Sequence, residues 1–308
     1  TGEDRGRLSY AGTFRRPGSR AALQLDGLAS GIERTNFFGY GNETEKPESK
    51  QAYRTLESFL AVTPSLRLER SRQLQLSAGA TLRVSDTPDD RPNVLNQVDA
   101  YGGGAFREAG LRAGVHYDSR GVGEGLLSGG LFETVGQGAG GRADLRVEAE
   151  ASWFPAWLDV EDAFGAVAAE VAGYLGRSRS PVQLAVRVGG RRVWGTYPWF
   201  ESAFIGGRAS VRGYSRQRFA GDRSLYGGVE ARAWLFTMDV PPIPLRVGVL
   251  GFADVGRVWL AGEDSDVWHP SGGGGLMLQP VATPFVLTAA VASGKEGSRW
   301  YFGYGFFF

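Results

Sequence analysis

Polar and apolar residues alternate along nearly the whole chain with a period of two, and nowhere does a helical period persist. In "RADLRVEAEASW", Arg142, Asp144, Arg146, Glu148, Glu150 and Ser152 take one face, while Ala143, Leu145, Val147, Ala149, Ala151 and Trp153 take the other. The same pattern returns in "LQLSAGATLRV", at Val182 to Arg191 and at Leu245 to Trp259. Fifteen segments read as strands: 6–14, 20–30, 53–68, 73–85, 97–107, 109–118, 126–136, 141–153, 163–175, 182–194, 222–236, 244–259, 271–279, 284–293 and 299–308.

Alternation alone leaves open whether the apolar face is buried, as in a soluble sandwich, or turned to lipid around a polar lumen, as in a membrane barrel. Three features favour lipid. The segments approach the ~9–11 residues of a tilted membrane strand, aromatic residues such as Tyr10, Phe14, Trp153, Tyr174, Trp259 and Trp300 sit at strand ends, and many outward residues are small and apolar. Short links such as "RPGS", "ERSR", "REAG" and "PVATP" alternate with longer ones at 31–52, 86–96, 195–221 and 260–270. In bacterial barrels the short turns are periplasmic, the long loops extracellular, and the strand number even. Counting back from a periplasmic C-terminus makes the first segment the second strand of sixteen. The expected fold is therefore an all-β transmembrane antiparallel β-barrel occupying 1–308 as one domain.

Composition narrows the function. The 308 residues carry a net charge of +1, which argues against a nucleic-acid partner, and 47 glycines beside 14 prolines. No apolar run approaches the roughly 18 residues of a membrane helix. Without cysteine there are no disulfides or thiolate chemistry, and the two histidines, His116 and His269, give a metal site or catalytic triad little to build from. No cofactor, metal or enzyme is expected. The glycine runs "YGGGAF" and "SGGGGL" lack the context of a phosphate loop and read as packed strand glycines. The chain opens at Thr1 without a methionine or signal segment and reads as a mature or excised piece.

One connection stands apart. The long 195–221 segment contains "GGRASVRGY", with Val211, Arg212, Gly213 and Tyr214; the next strand carries Glu230 and Arg232, and the one after it "FADVG", with Phe252, Asp254 and Gly256. Glu230, Arg232 and Asp254 all fall on the polar register of their strands, so they project into one lumen, and a guanidinium arriving from the loop fits a carboxylate as a bidentate partner. Arg216, Arg218 and Arg223 are left unassigned, with a solvated arginine-rich loop as the competing reading.

These three motifs, in this order, resemble the bacterial surface antigen family, the barrel domains of outer-membrane insertases and two-partner secretion transporters of the BamA and TamA type. That family carries a Val-Arg-Gly-Tyr/Phe motif in a sixth extracellular loop folded into the lumen. The resemblance is specific from about Val193 to Phe308, and "DSR" at Asp118 to Arg120 is a faint echo upstream. It implies the bacterial outer membrane, contact with lipid and lipopolysaccharide, passage through the barrel-assembly machinery, and a part in inserting or translocating polypeptides. The end "WYFGYGFFF" places Trp300, Phe302, Tyr304, Phe306 and Phe308 on one face and resembles the sorting signal of outer-membrane barrels. "TNFFGYGNET", from Thr35 to Thr44, is reminiscent of barrels fused behind periplasmic enzymes. A membrane anchor or translocator for a separate N-terminal domain is therefore the alternative function.

Overall fold

The computed structural model describes residues 6–88, 92–119, 143–176, 180–239, 241, 243–283 and 285–305. Its strands are β1 (Arg7–Arg15), β2 (Ala21–Asn36), β3 (Arg54–Glu69), β4 (Leu74–Thr87), β5 (Gly104–Asp118), β6 (Ala143–Phe154), β7 (Phe164–Leu175) and β8 (Val182–Trp194). Then follow β9 (Ala203–Ile205), β10 (Phe219–Gly221), β11 (Arg223–Met238), β12 (Leu245–Trp259), β13 (His269–Pro280), β14 (Leu287–Gly294) and β15 (Gly297–Tyr304). Thirteen of them form one antiparallel meander in chain order, while β9 and β10 pair with each other inside the β8–β11 connection. Among the described residues no ladder joins β1 to β15, which are the sheet's two edges.

The period-two pattern decides which side of this wall is which. Leu66, Leu76, Leu82, Leu111, Val115, Val171, Val186 and Val229 lie exposed on the outer face. Their neighbours Gln75, Thr81, Glu108, Arg187, Glu230 and Asp254 are buried on the inner one. An apolar exterior of this extent is an interaction surface, and around a polar interior it is the lipid face of a barrel whose backbone groups are satisfied in the strand ladder.

Two expected strands need correction. Segments 97–107 and 109–118 are not separated by a turn at "REAG": β5 runs through it, and Gly110 is a packing glycine, since a Cβ there would meet the Phe154 ring at 2.5 Å. The first glycine run is the turn instead, with Gly102 at φ +81° and Gly104 at φ +69°. The expected strand 126–136 lies outside the described residues.

The long connections close over their own end of the barrel. Phe37, Leu95, Ala100, Trp199 and Ala220 form one buried cluster there, and Phe106, Phe154, Val160, Phe164 and Val193 a second. Trp199 edges onto Phe37 with ring centroids 5.6 Å apart, and Gly41 bridges to Ala220, so the β2–β3 connection and the β8–β11 loop are stitched together. Burial in this cap pushes the Tyr40 phenol up to about 12.

Candidate functional site

The β8–β11 loop is shaped before it is bound. Ile205 pairs with Phe219 at the base of a small hairpin, and Gly206 and Gly207 take left-handed φ values of +113° and +84° to turn the chain inward. Beyond them Val211 and Tyr214 pack with Ile205, Phe219 and Val258 into a buried cluster. Gly213 has φ +90°, and a Cβ on it would lie 3.1 Å from the backbone of Ser293 and Gly294, so this turn admits glycine alone.

Arg212 sits at the centre and is completely buried. Its backbone N–H donates to Asp254 Oδ2 at 3.0 Å, Nε to the same oxygen at 2.6 Å, and Nη2 to Oδ1 at 2.7 Å. Nη1 donates to Glu230 Oε2 at 2.5 Å, and Glu230 Oε1 accepts from Arg232 Nε at 2.7 Å. The guanidinium carbon lies 3.6 Å above the Phe252 ring. Two arginines thus meet two carboxylates with a balanced charge, the condition under which buried ions recover their desolvation cost. The residues singled out in the motifs, Val211, Arg212, Glu230, Arg232, Phe252 and Asp254, are all in one place.

Glycines make the room. Gly228 pairs across the ladder with Asp254, and a Cβ on it would fall 2.3 Å from Asp254 Oδ1. Gly256 leaves space for Val211, whose Cγ2 would stand 2.8 Å from a Cβ there.

Several further groups hold the loop without having been foreseen. Tyr301 Oη accepts from the Gly213 N–H at 2.9 Å, Arg299 donates to Ser215 Oγ at 2.7 Å, and the Tyr214 hydroxyl donates to the Pro270 carbonyl at 3.2 Å. Arg218, left unassigned by the sequence, is buried: it pairs with Glu296 at 2.5 Å and donates to Thr44 Oγ1 at 2.8 Å. Its neighbour Phe219 stacks on His269 at 3.8 Å. Arg216 is exposed, and Arg223 points outward from β11. On the other side Arg187 donates to the Ala209 and Ser210 carbonyls, each at 3.0 Å. It ends a row of lumen ion pairs running through Glu170, Arg146 and Glu148 to His116. The signal for this row was present in the polar register of β6–β8; the loop carbonyls that Arg187 binds leave no trace in side-chain patterning.

At the C-terminus Trp300, Phe302 and Tyr304 share the exposed outer face of β15, opposite Arg299 and Tyr301. Phe306 and Phe308 lie outside the described residues. Among the described residues no cluster of His, Asp and Glu is arranged to hold a metal ion. His116 pairs with Glu148, and His269 bonds to Asn42.

This architecture is similar to solved outer-membrane barrels. The crystal structure of BamA from Haemophilus ducreyi lacking POTRA domains 1–3 superposes with a TM-score of 0.60 at 14% identity, over 97% of this chain and 60% of that one. CdiB from Acinetobacter baumannii gives a TM-score of 0.53 at 16% identity, over 92% of this chain and 46% of that one. At these identities the likeness is one of fold, and the chain spans about 60% of the BamA structure and less than half of CdiB. No curated protein matches. The Omp85 superfamily domain matches residues 7–308, nearly the whole chain. A polar lumen, a lipid-facing exterior and that match from the first strand to the last residue place the protein in the bacterial outer membrane, and the chain belongs to the Omp85 superfamily.

Proposed function

We propose that this barrel takes part in inserting or translocating polypeptides at the bacterial outer membrane, and that the β8–β11 loop, pinned by Arg212, sets the state of its lumen. The observation that carries this reading is the burial of Arg212 between Asp254 and Glu230. A loop whose central arginine is buried between wall carboxylates, with its tip engaged by β13 and β15, is a part whose release would change the passage without dissolving the wall. Outer-membrane lipid and lipopolysaccharide surround the barrel in this reading, unfolded polypeptides are its substrates, and the barrel-assembly machinery installs it.

The test is reconstitution of the full-length protein in liposomes with an unfolded outer-membrane polypeptide added outside. Faster appearance of heat-resistant, folded product than in empty liposomes is expected, with Arg212→Ala altering both that rate and the conductance. No acceleration over empty liposomes would overturn the insertion reading. The packed mouth of the barrel, where Trp199 and Phe37 close the long-loop end, favours a second reading as an anchor for an N-terminal domain. That reading expects neither acceleration nor conductance.

The outer aromatic face of β15 is proposed as the assembly signal. Deleting Phe308 should lower the yield of assembled barrel more than the stability of molecules already folded; equal losses in both would refute the role.

A further inference from the structure

The long-loop rim of the barrel carries an unbalanced pair of charges on its lipid side. Arg192 on β8 and Arg223 on β11 are directly opposite each other in the ladder, and both are exposed. Directly opposite side chains start from Cβ atoms about 4.5–5.5 Å apart, and like charges in that relation are destabilising. Arg15 and Arg107, also exposed, meet acids instead, Glu69 and Asp159. Neither Arg192 nor Arg223 makes a side-chain hydrogen bond or ion pair with another described residue.

Their height on the wall is set by the strand. Val182, Val186 and Val188 are exposed below Arg192 on the same face of β8. Ten residues separate Val182 from Arg192, about 33 Å along a strand. Tilted as barrel strands are, that is roughly the 25 Å height of the outer apolar band. The two guanidiniums therefore stand at its upper edge. Trp194 flanks Arg192, its ring lying over Gly165, and Trp259 pairs across from Arg223. Arg257 stacks between Trp259 and Trp268, at 4.5 Å and 5.5 Å, and braces this aromatic rim.

We infer that Arg192 and Arg223 form a binding site for a phosphate group on a glycolipid of the outer leaflet, the phosphorylated headgroup of lipopolysaccharide, held with its acyl chains against Val186 and Val188. A phosphate supplies what the pair lacks. It accepts from two guanidinium forks at once and converts their repulsion into a bridge. The apolar surface of Val186 and Val188 directly below distinguishes a lipid headgroup from a free anion, which would have no use for it. This site rests on the outer-membrane reading of the chain but is independent of what passes through the lumen.

The experiment compares detergent-purified protein with bisphosphorylated lipid A, enzymatically dephosphorylated lipid A and inorganic phosphate, reading bound lipid by native mass spectrometry and the midpoint of heat-modifiable migration. Heat-modifiable migration before any lipid is added establishes the barrel, so its absence is a failure of the barrel reading and not of this site. Bisphosphorylated lipid A should bind about tenfold or more tightly than the dephosphorylated form, as expected from losing one or two hydrogen bonds between charged groups. Arg192→Gln with Arg223→Gln should remove that preference, and lysine at both positions should restore part of it. Equal binding of the two lipids by the wild-type protein overturns the inference even if the variant does not assemble. An unchanged preference in the double glutamine variant, or equal stabilisation by inorganic phosphate alone, also overturns it.

Discussion

Strands β1 and β12 follow the same alternating rule, yet they lie in opposite circumstances. In β1 both faces are exposed, Leu8, Tyr10 and Phe14 outward and Arg7, Ser9 and Thr13 inward. In β12 the outer residues Gly251, Ala253 and Val255 are exposed, but Phe252, Asp254 and Gly256 are buried against Arg212 and Val211 of the loop. The wall pattern is therefore common to every strand, and what separates a structural strand from a site-bearing one is what fills the lumen beside it. A charge facing open lumen is hydrated and interchangeable. The same charge under a docked loop is desolvated, and its partner is fixed.

Breaking the β12 side should have the largest effect. Arg212→Ala strands Asp254 without its cation and leaves Glu230 with Arg232 alone, and removing one partner of a buried pair costs about 3–5 kcal/mol. The strands share a whole ladder while the loop depends on few contacts, so the barrel should keep its heat-modifiable migration as the loop becomes protease-sensitive. Asp254→Ala should look the same, with the double variant little worse than either, and lysine at 212 should rescue only partly. Simple addition of the two effects would show that the residues act independently.

Gly228→Ala sharpens the comparison without touching a charge. Its Cβ would fall 2.3 Å from Oδ1 of the Asp254 carboxylate, which three hydrogen bonds from Arg212, two to Oδ2 and one to Oδ1, hold in place. We expect a loss of about 1–3 kcal/mol, as for overpacking in a core, with the same protease-sensitive loop. Gly27→Ala in β2, where the nearest atom to a Cβ is Tyr10 Cβ at 3.9 Å, should leave proteolysis unchanged.

The exposed pair Arg15–Glu69, linking the edge strand β1 to β3, is the matching control. Both side chains are about one-third exposed, and Arg15→Ala should cost no more than about 1 kcal/mol in denaturant unfolding. A loss approaching that of Arg212→Ala would end the distinction between open and filled lumen.

The smallest effect is one of pH. In the β6–β7 connection the hydrogen bond from Arg107 holds the Asp159 carboxyl below the ordinary range. A depressed pKa means that the contribution is complete above about 3.9, the unperturbed value, and is lost as pH falls through the lower folded value. Hydrogen exchange in residues 155–163 should differ between wild type and Asp159→Asn at neutral pH and converge in acid. A difference that persists in acid would assign the order of this connection to other contacts.

Most of the wall was legible because period two is a local property: β8 begins and ends where the alternation does, at Val182 and Trp194. The motif residues of the site were legible by resemblance, and the polar register of Glu230 and Asp254 by spacing. What escaped was whatever depends on contact between distant segments. "REAG" has the composition of a turn, and only the Phe154 ring explains why Gly110 stays in a strand. Arg218 looks like any loop arginine until Glu296 and Thr44 are brought to it, and the β9–β10 hairpin is too short for periodicity to register. Tyr301 and Arg299 were hidden in a stretch whose outward aromatics drew attention to the opposite face.

The engagement of β15 with the loop couples the completion of two distant segments. Glu296, Arg299 and Tyr301 come last in the chain, yet their partners Arg218, Ser215 and Gly213 lie on a loop made much earlier. Each of these contacts joins the last hairpin to the loop, so neither has its polar groups satisfied until the other is in place. The end of the chain and the loop are thereby finished together, as one unit rather than two.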